Sequence, residues 1–182
     1  MGGKAENIRV LSIKWFMAHR YKKDPKFSDK ELAFVEENLT EMERVLYFQM
    51  DFVDQRHALE VAKTVNEDPR IQNDNERKVV VKAALLHDIG KIKGDFTVTQ
   101  RVLVKLINKF MPKIYQRLLL KDNKPKGTLA NAVFVYATHP SRGAYMLETF
   151  GVSETVVELI RNHHEMPKSR FERLLKDADS LN

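Results

Sequence analysis

The feature that most constrains the fold is an apolar run that ends on two polar residues. Val79, Val80, Val81, Ala83, Ala84, Leu85 and Leu86 lead into His87 and Asp88, with Ile89, Gly90 and Lys91 after them. A run this apolar belongs in a core, where an imidazole beside an ionised carboxylate is costly unless both find partners. A divalent cation satisfies both, because carboxylate oxygen and imidazole nitrogen are preferred ligands of hard and borderline ions. A core histidine hydrogen-bonded to its neighbours is the other solution. The dipeptide alone does not choose between them.

The remaining histidines bear on that choice. Val53, His57, Val61 and Val65 step by four, which puts His57 on the apolar stripe of a helix. His87 continues the face of Val80, Ala83 and Ala84. His163 follows Val156, Leu159 and Ile160 at helical spacing, and His164 follows Val157 and Ile160. After Phe171, Leu174, Leu175 and Ala178, the next position on the same face is Asp179. Asp177, beside Arg173 and Lys176, reads as solvated. His139 precedes Pro140, and proline at a first helical position would place His139 near an N-cap. His19, among Arg20, Tyr21, Lys22 and Lys23, reads as a surface residue without a role.

Several segments that each aim a His or Asp inward point to a shared centre. Imidazole and carboxylate without thiolate favour a hydrolytic site holding manganese, iron, magnesium, nickel or zinc over a structural zinc. His57, His87, Asp88, His139, His163 and Asp179 exceed the needs of one tetrahedral ion. A pair of ions bridged by a carboxylate suits the set better, with Asp88 as the natural bridge. His164 is a further candidate. Adjacent residues on an ideal helix diverge by about 100°, so His163 is preferred over His164 as the ligand.

The order His57, His87-Asp88, Asp179 resembles the H…HD…D pattern of the HD-domain superfamily of metal-dependent phosphohydrolases. The string His87-Asp88-Ile89-Gly90-Lys91 is similar to its HDIG branch. The resemblance runs from about Phe52 to Asp179. His139 and His163-His164-Glu165 are similar to the two-metal members, including cyclic-dinucleotide phosphodiesterases with an HHE motif. Those continue into a Gly-Tyr-Pro segment, whereas this chain reads Met166-Pro167-Lys168-Ser169-Arg170, which argues against cyclic-dinucleotide cleavage and leaves the two-metal inference standing.

The resemblance implies an all-α fold, an HD-domain helical bundle with extra N-terminal helices. Residues 1–50 would pack on a domain spanning 51–182, together one globular unit. His57, His87, Asp88 and Asp179 would hold one divalent ion, and Asp88, His139 and His163 a second. An ion-bound water would become the nucleophile. The substrate would be a small phosphorylated molecule, a nucleotide foremost, cleaved as a monoester or a diester. Asp88 and Lys91 would be catalytic, with Lys91 contacting phosphate or aiding the leaving group. A helix C-terminal lysine answering the macrodipole is the plainer reading of Lys91. Arg142 is a second phosphate-clamp candidate. Alternatives within the superfamily are a catalytically silent, metal-bound nucleotide-sensing domain and a di-iron oxygenase. A basic helical nucleic-acid binder is a further reading.

Composition sets bounds on these readings. The 182 residues suffice for one domain with ample core. The absence of cysteine excludes disulfides, thiolate metal sites and a cysteine nucleophile, and is compatible with a reducing cytoplasm. No apolar run approaches the ~20 residues of a transmembrane helix, and no signal-peptide pattern is seen. A formal charge of +6 suits an anionic substrate but is too modest and evenly spread to call for nucleic acid.

Helices are expected near 7–19, 29–38, 41–48, 51–66, 75–89, 98–110, 113–120, 128–138, 141–149, 154–165 and 169–180. Ser28 with Glu31, Thr40 with Glu43 and Thr97 with Gln100 read as capping boxes. Gly151 and Ser153 read as the C′ residue of one helix and the N-cap of the next. Ala132–Tyr136 is expected to be helical despite its strand-like composition. The basic amphipathic stretch Ile8–Met17 is expected to pack on the bundle, with a membrane-surface or partner role as the alternative. The segment 95–127 is expected to be helical scaffold rather than a lid.

Overall fold

The computed structural model describes residues 27–95 and 97–182, and all regular structure among them is helical. In chain order the helices are α1 (Asp29–Asn38), α2 (Glu41–Phe48), α3 (Phe52–Asn66), α4 (Asp74–Leu86), α5 (Val98–Phe110), α6 (Pro112–Leu119), α7 (Leu129–Thr149), α8 (Glu154–Asn162) and α9 (Arg170–Leu181). The all-α expectation therefore holds for the described residues. The stretches around Ile8–Met17 and His19 lie outside them.

Helix starts follow the local chemistry. The Ser28–Glu31, Thr40–Glu43 and Thr97–Gln100 capping boxes all form, each satisfying backbone N–H groups that have no partner within the helix. Ser169 with Glu172 adds another at the start of α9. Gly151 takes a left-handed φ of 68° where α7 ends, a conformation glycine adopts without steric penalty. Ser153 is the N-cap of α8.

Three boundaries differ from the sequence reading. The expected break between 138 and 141 does not occur: α7 runs unbroken from Leu129 to Thr149 with Pro140 inside it, so His139 is a mid-helix residue and not near an N-cap. An interior proline costs a helix about 3 kcal/mol. Here the turns on both sides of it are anchored, Ala132 and Val133 before it and Ala144 and Leu147 after it being fully buried. The other two differences are at C-termini. Helix α4 stops at Leu86 and α8 at Asn162, each with a histidine as C-cap, and the residues beyond form turns.

The chain divides into two compact units. Among the described residues, one comprises 93–137 and holds α5, α6 and the first turns of α7. Val104, Ile107, Tyr115, Ala132, Val133 and Val135 form its core. The 132–136 stretch is helical, as expected.

The other unit comprises 27–92 and 138–182. Its centre is α4, packed by α1, α2, α3, α8 and α9. The apolar run supplies this core: Val80, Val81, Ala83, Ala84, Leu85 and Leu86 are all fully buried. They meet Ala58, Leu59, Val61, Ala62 and Val65 of α3 and Leu174, Leu175 and Ala178 of α9. Val35, Leu39, Leu46, Tyr47 and Met50, from α1 and α2 and their ends, join the same core.

An ionic contact ties α1 to α3. The Glu31 carboxylate takes Arg56 at 2.8 Å and Lys63 at 2.9 Å, and Ser28 N–H at 2.9 Å. Burial raises the pKa of Glu31, but these donors outweigh it and hold the carboxyl below its ordinary 4.5. Because the folded pKa is depressed, the stabilisation is complete above the unfolded value and fades as pH falls below it. Glu31→Gln is expected to lower the unfolding free energy by about 1–2 kcal/mol at neutral pH in urea titrations, with the gap closing as the pH drops below about 4.5. A gap unchanged down to about pH 3 would contradict this.

Candidate metal centre

The candidate ligands all belong to the unit built around α4. His57 lies on α3, His87 caps the C-terminus of α4, and Asp88 and Lys91 lie in the turn after it. His139 and Arg142 lie on α7, His163 and His164 just past α8, and Asp179 on α9.

Two histidines are fixed in the same way. His87 Nδ1 donates to the Ala84 carbonyl at 2.8 Å, and His163 Nδ1 to the Ile160 carbonyl at 2.6 Å. Each bond satisfies a carbonyl of the last helical turn. A carbonyl only accepts, so Nδ1 of each ring carries a proton and Nε2 is the nitrogen turned toward the other candidate ligands.

The Nε2 atoms converge with carboxylate oxygens in two groups. In one, His57 Nε2 is 2.9 Å from Asp179 Oδ1, and His87 Nε2 is 3.5 Å from Asp88 Oδ2 and 4.0 Å from Asp179 Oδ1. In the other, His139 Nε2 is 3.2 Å from both His163 Nε2 and His164 Nε2. Asp88 spans the two, because its Oδ1 lies 3.2 Å from His139 Nε2 while its Oδ2 faces His87. Lys91 Nζ holds that Oδ2 at 2.5 Å.

The floor of this arrangement is buried and its rim is open. His87, Asp88, His139 and His163 are all less than 5% exposed, whereas the side chains of His57 and Asp179 are 21% and 26% exposed and His164 is solvent-exposed. Burial, followed by the charge of Lys91, brings His139 down to about 3. Burial, followed by His87 and His139, does the same to His163. Both rings are therefore neutral at pH 7. Burial works to raise the pKa of Asp88, but Lys91 and His87 outweigh it and keep the carboxyl well below its usual range. For Asp179 the same burial is outweighed by the hydrogen bond from His57.

These groups fit divalent cations. His139 Nε2 has three polar atoms at 3.2 Å, and one ring N–H can serve only one of them. Asp88 Oδ1 is buried 3.2 Å from the same His139 Nε2, so that one ring is all that the carboxylate shares on this side. Ligand atoms about 2.0–2.1 Å from a common ion stand about 2.9 Å apart at neighbouring octahedral corners and about 3.3 Å at tetrahedral ones. The spacings of 2.9, 3.2 and 3.5 Å bracket those edges. The donor set of imidazoles and carboxylates suits hard and borderline divalent ions.

Of the residues singled out from sequence, His57, His87, Asp88, His139, His163, His164, Asp179 and Lys91 come together. The preference for His163 over His164 is corrected. It assumed a helix through 165, but α8 ends at Asn162, and in the turn beyond it both rings reach His139, their centroids 5.1 and 4.9 Å away. The macrodipole reading of Lys91 is also corrected: its ammonium is buried on Asp88 rather than set against helix-end carbonyls. Arg142 follows His139 by three positions on α7 and is half-buried. Asp177 is half-exposed and paired with Arg70 at 2.7 Å, consistent with a solvated role.

The sequence reading did not single out two glycines at the heart of the site. A Cβ on Gly90 would lie 2.0 Å from the His139 carbonyl oxygen and 2.9 Å from Gly143 N, so only glycine lets the turn after α4 lie against the α7 backbone. Gly90 enters the sequence reading only as a member of the His87–Lys91 string and Gly143 not at all, because the steric constraint comes from a segment some fifty positions away in the chain.

A family model described as HD domain matches residues 55–182, which takes in every candidate ligand from His57 to Asp179. Searches of curated proteins and of solved structures returned no match. Among the described residues no helix is long and apolar enough to cross a membrane. With its candidate ligands inside the matched span and its described helices forming the all-α fold of that family, the chain belongs to the HD domain family, whose members are mostly metal-dependent hydrolases that bind divalent metal.

Proposed function

We propose that this protein is an HDIG-type phosphohydrolase that uses a pair of divalent cations to cleave a phosphoester of a small anionic substrate, a nucleotide foremost. The observation that carries this reading is the Asp88 carboxylate, whose two oxygens face different ligand groups. His57, His87, Asp88 and Asp179 would hold one ion. Asp88, His139, His163 and His164 would hold the other. When bound, such ions bring a water molecule toward a pKa of about 7 and draw negative charge off a phosphoryl group. Residues 51–182 span the catalytic domain in this reading, and α1 and α2 add Val35, Leu46 and Tyr47 to the core around α4.

The chain's own groups then act as follows. The Nδ1 bonds of His87 and His163 hold their rings in the one tautomer that presents Nε2. The buried floor shields the ligand atoms from bulk water, and the open rim at His57, Asp179 and His164 is the side from which a phosphoryl group enters. Lys91 neutralises Asp88 and carries protons on Nζ, one of which can pass to a leaving oxygen. Arg142 would clamp the substrate's anionic end.

Protein purified without added metal is expected to contain about two equivalents of divalent ion per chain by elemental analysis and to hydrolyse an aryl phosphate. His87→Ala and Asp88→Ala should each lose metal and lower turnover at least about 100-fold. Protein free of metal and inert after loading would overturn the reading. Metal without turnover across a nucleotide panel would select a sensing domain instead. Oxygen consumption by bound iron without phosphate release would select an oxygenase.

Lys91→Met separates the lysine's role from that of the ligands. Metal content should stay near wild type while kcat falls about 100-fold, the usual scale of a lost general acid. Unchanged kcat would remove Lys91 from the chemistry.

A further inference from the structure

We infer that Gly90 and Gly143 are positioning residues whose backbone-to-backbone contact sets the spacing between the two ligand groups, so that Asp88 reaches both. The inference rests on the two-ion reading above and concerns how this chain assembles it. Gly90 lies two residues after Asp88, and Gly143 lies four after His139, one turn along the same face of α7.

The contact has no slack on either side. A Cβ on Gly90 would meet the His139 carbonyl oxygen at 2.0 Å, its carbonyl carbon at 2.8 Å and Gly143 N at 2.9 Å, all of them backbone atoms. A Cβ on Gly143 would meet Gly90 N and Ile89 Cγ1 at 3.3 Å and Ile160 Cγ2 at 3.5 Å. Ile160 is also the residue whose carbonyl anchors His163. One joint thus holds the turn carrying Asp88, the helix carrying His139 and the helix end carrying His163.

Real Cβ atoms essentially never approach closer than 3.0 Å, so an alanine at 90 drives the two backbones apart by at least about 1 Å. Metal centres tolerate ligand displacements of only about 0.2 Å. The 3.2 Å span from Asp88 Oδ1 to His139 Nε2 would open beyond a coordination edge. His57 and Asp179 sit on α3 and α9, off this joint, and His87 caps α4 with its Nδ1 tied to Ala84, so of that group only Asp88 lies in the displaced turn. The steric demand at Gly143 is milder, so its alanine variant widens the joint by a few tenths of an ångström.

The test loads metal-free full-length chain with Mn²⁺ and reads stoichiometry by elemental analysis, site affinities by calorimetry and helix content by circular dichroism. Wild type is expected to take two ions. Gly90→Ala should keep its helices and take one ion, losing the one shared by Asp88 and His139. Gly143→Ala should keep both while one of the two sites loses about tenfold in affinity. Leu46→Ala, which weakens the same core from α2, should still take two ions, separating spacing from general destabilisation. If Gly90→Ala does not fold, Gly143→Ala decides the matter. Two ions bound with wild-type affinities in the folded glycine variants would overturn the inference. Wild type that takes one ion or none would instead overturn the two-ion reading, and this inference with it.

Discussion

Everything at this site depends on keeping the Asp88 carboxylate ionised where water does not reach. Desolvating an ion costs several kcal/mol even after the surroundings relax, and here the ion lies just past the fully buried apolar run of α4. Lys91 supplies one compensating charge at 2.5 Å, on Oδ2 alone. The opposite oxygen faces the His139 imidazole, which burial keeps neutral, and a neutral ring offers at most a dipole. A divalent cation drawn from outside the polypeptide would add to that compensation, which is the physical content of the proposed metal centre.

The helices serve this centre as rigid arms that stop at the right place. Small and β-branched side chains along α3 and α4 interlock without exposed surface, so the ends of α4 and α8 have little freedom. Ligands sit at or just beyond those ends, where backbone carbonyls need partners and ring nitrogens can provide them. The deep residues are held by core packing. The shallower ones, His57 and Asp179, are held by their mutual hydrogen bond.

Much of this was legible in the sequence because helical periodicity records which face is buried. His57, His87 and Asp179 each continue an apolar stripe, and their side chains converge. Capping chemistry marked the starts of α1, α2 and α5 to the residue. What local patterns misjudged were outcomes set by distant neighbours. Pro140 reads as a helix start, since its missing N–H is harmless there; buried residues on both sides instead carry α7 straight through it. His163 and His164 read as divergent on an ideal helix, and the early end of α8 removed that premise. Gly90 was part of a motif, but its steric role exists only once α7 lies against it.

The caps at His87 and His163 have a corollary for how the sequence can drift. Each ring closes its own helix with one nitrogen and turns the other inward, so secondary structure and ligand geometry are written into the same side chain. A replacement that restores the cap, such as asparagine, loses the inward donor, and one that restores a donor without the Nδ1 bond leaves the helix end frayed. Only an imidazole meets both demands, so these two positions have no conservative alternative, whatever molecule the site acts on.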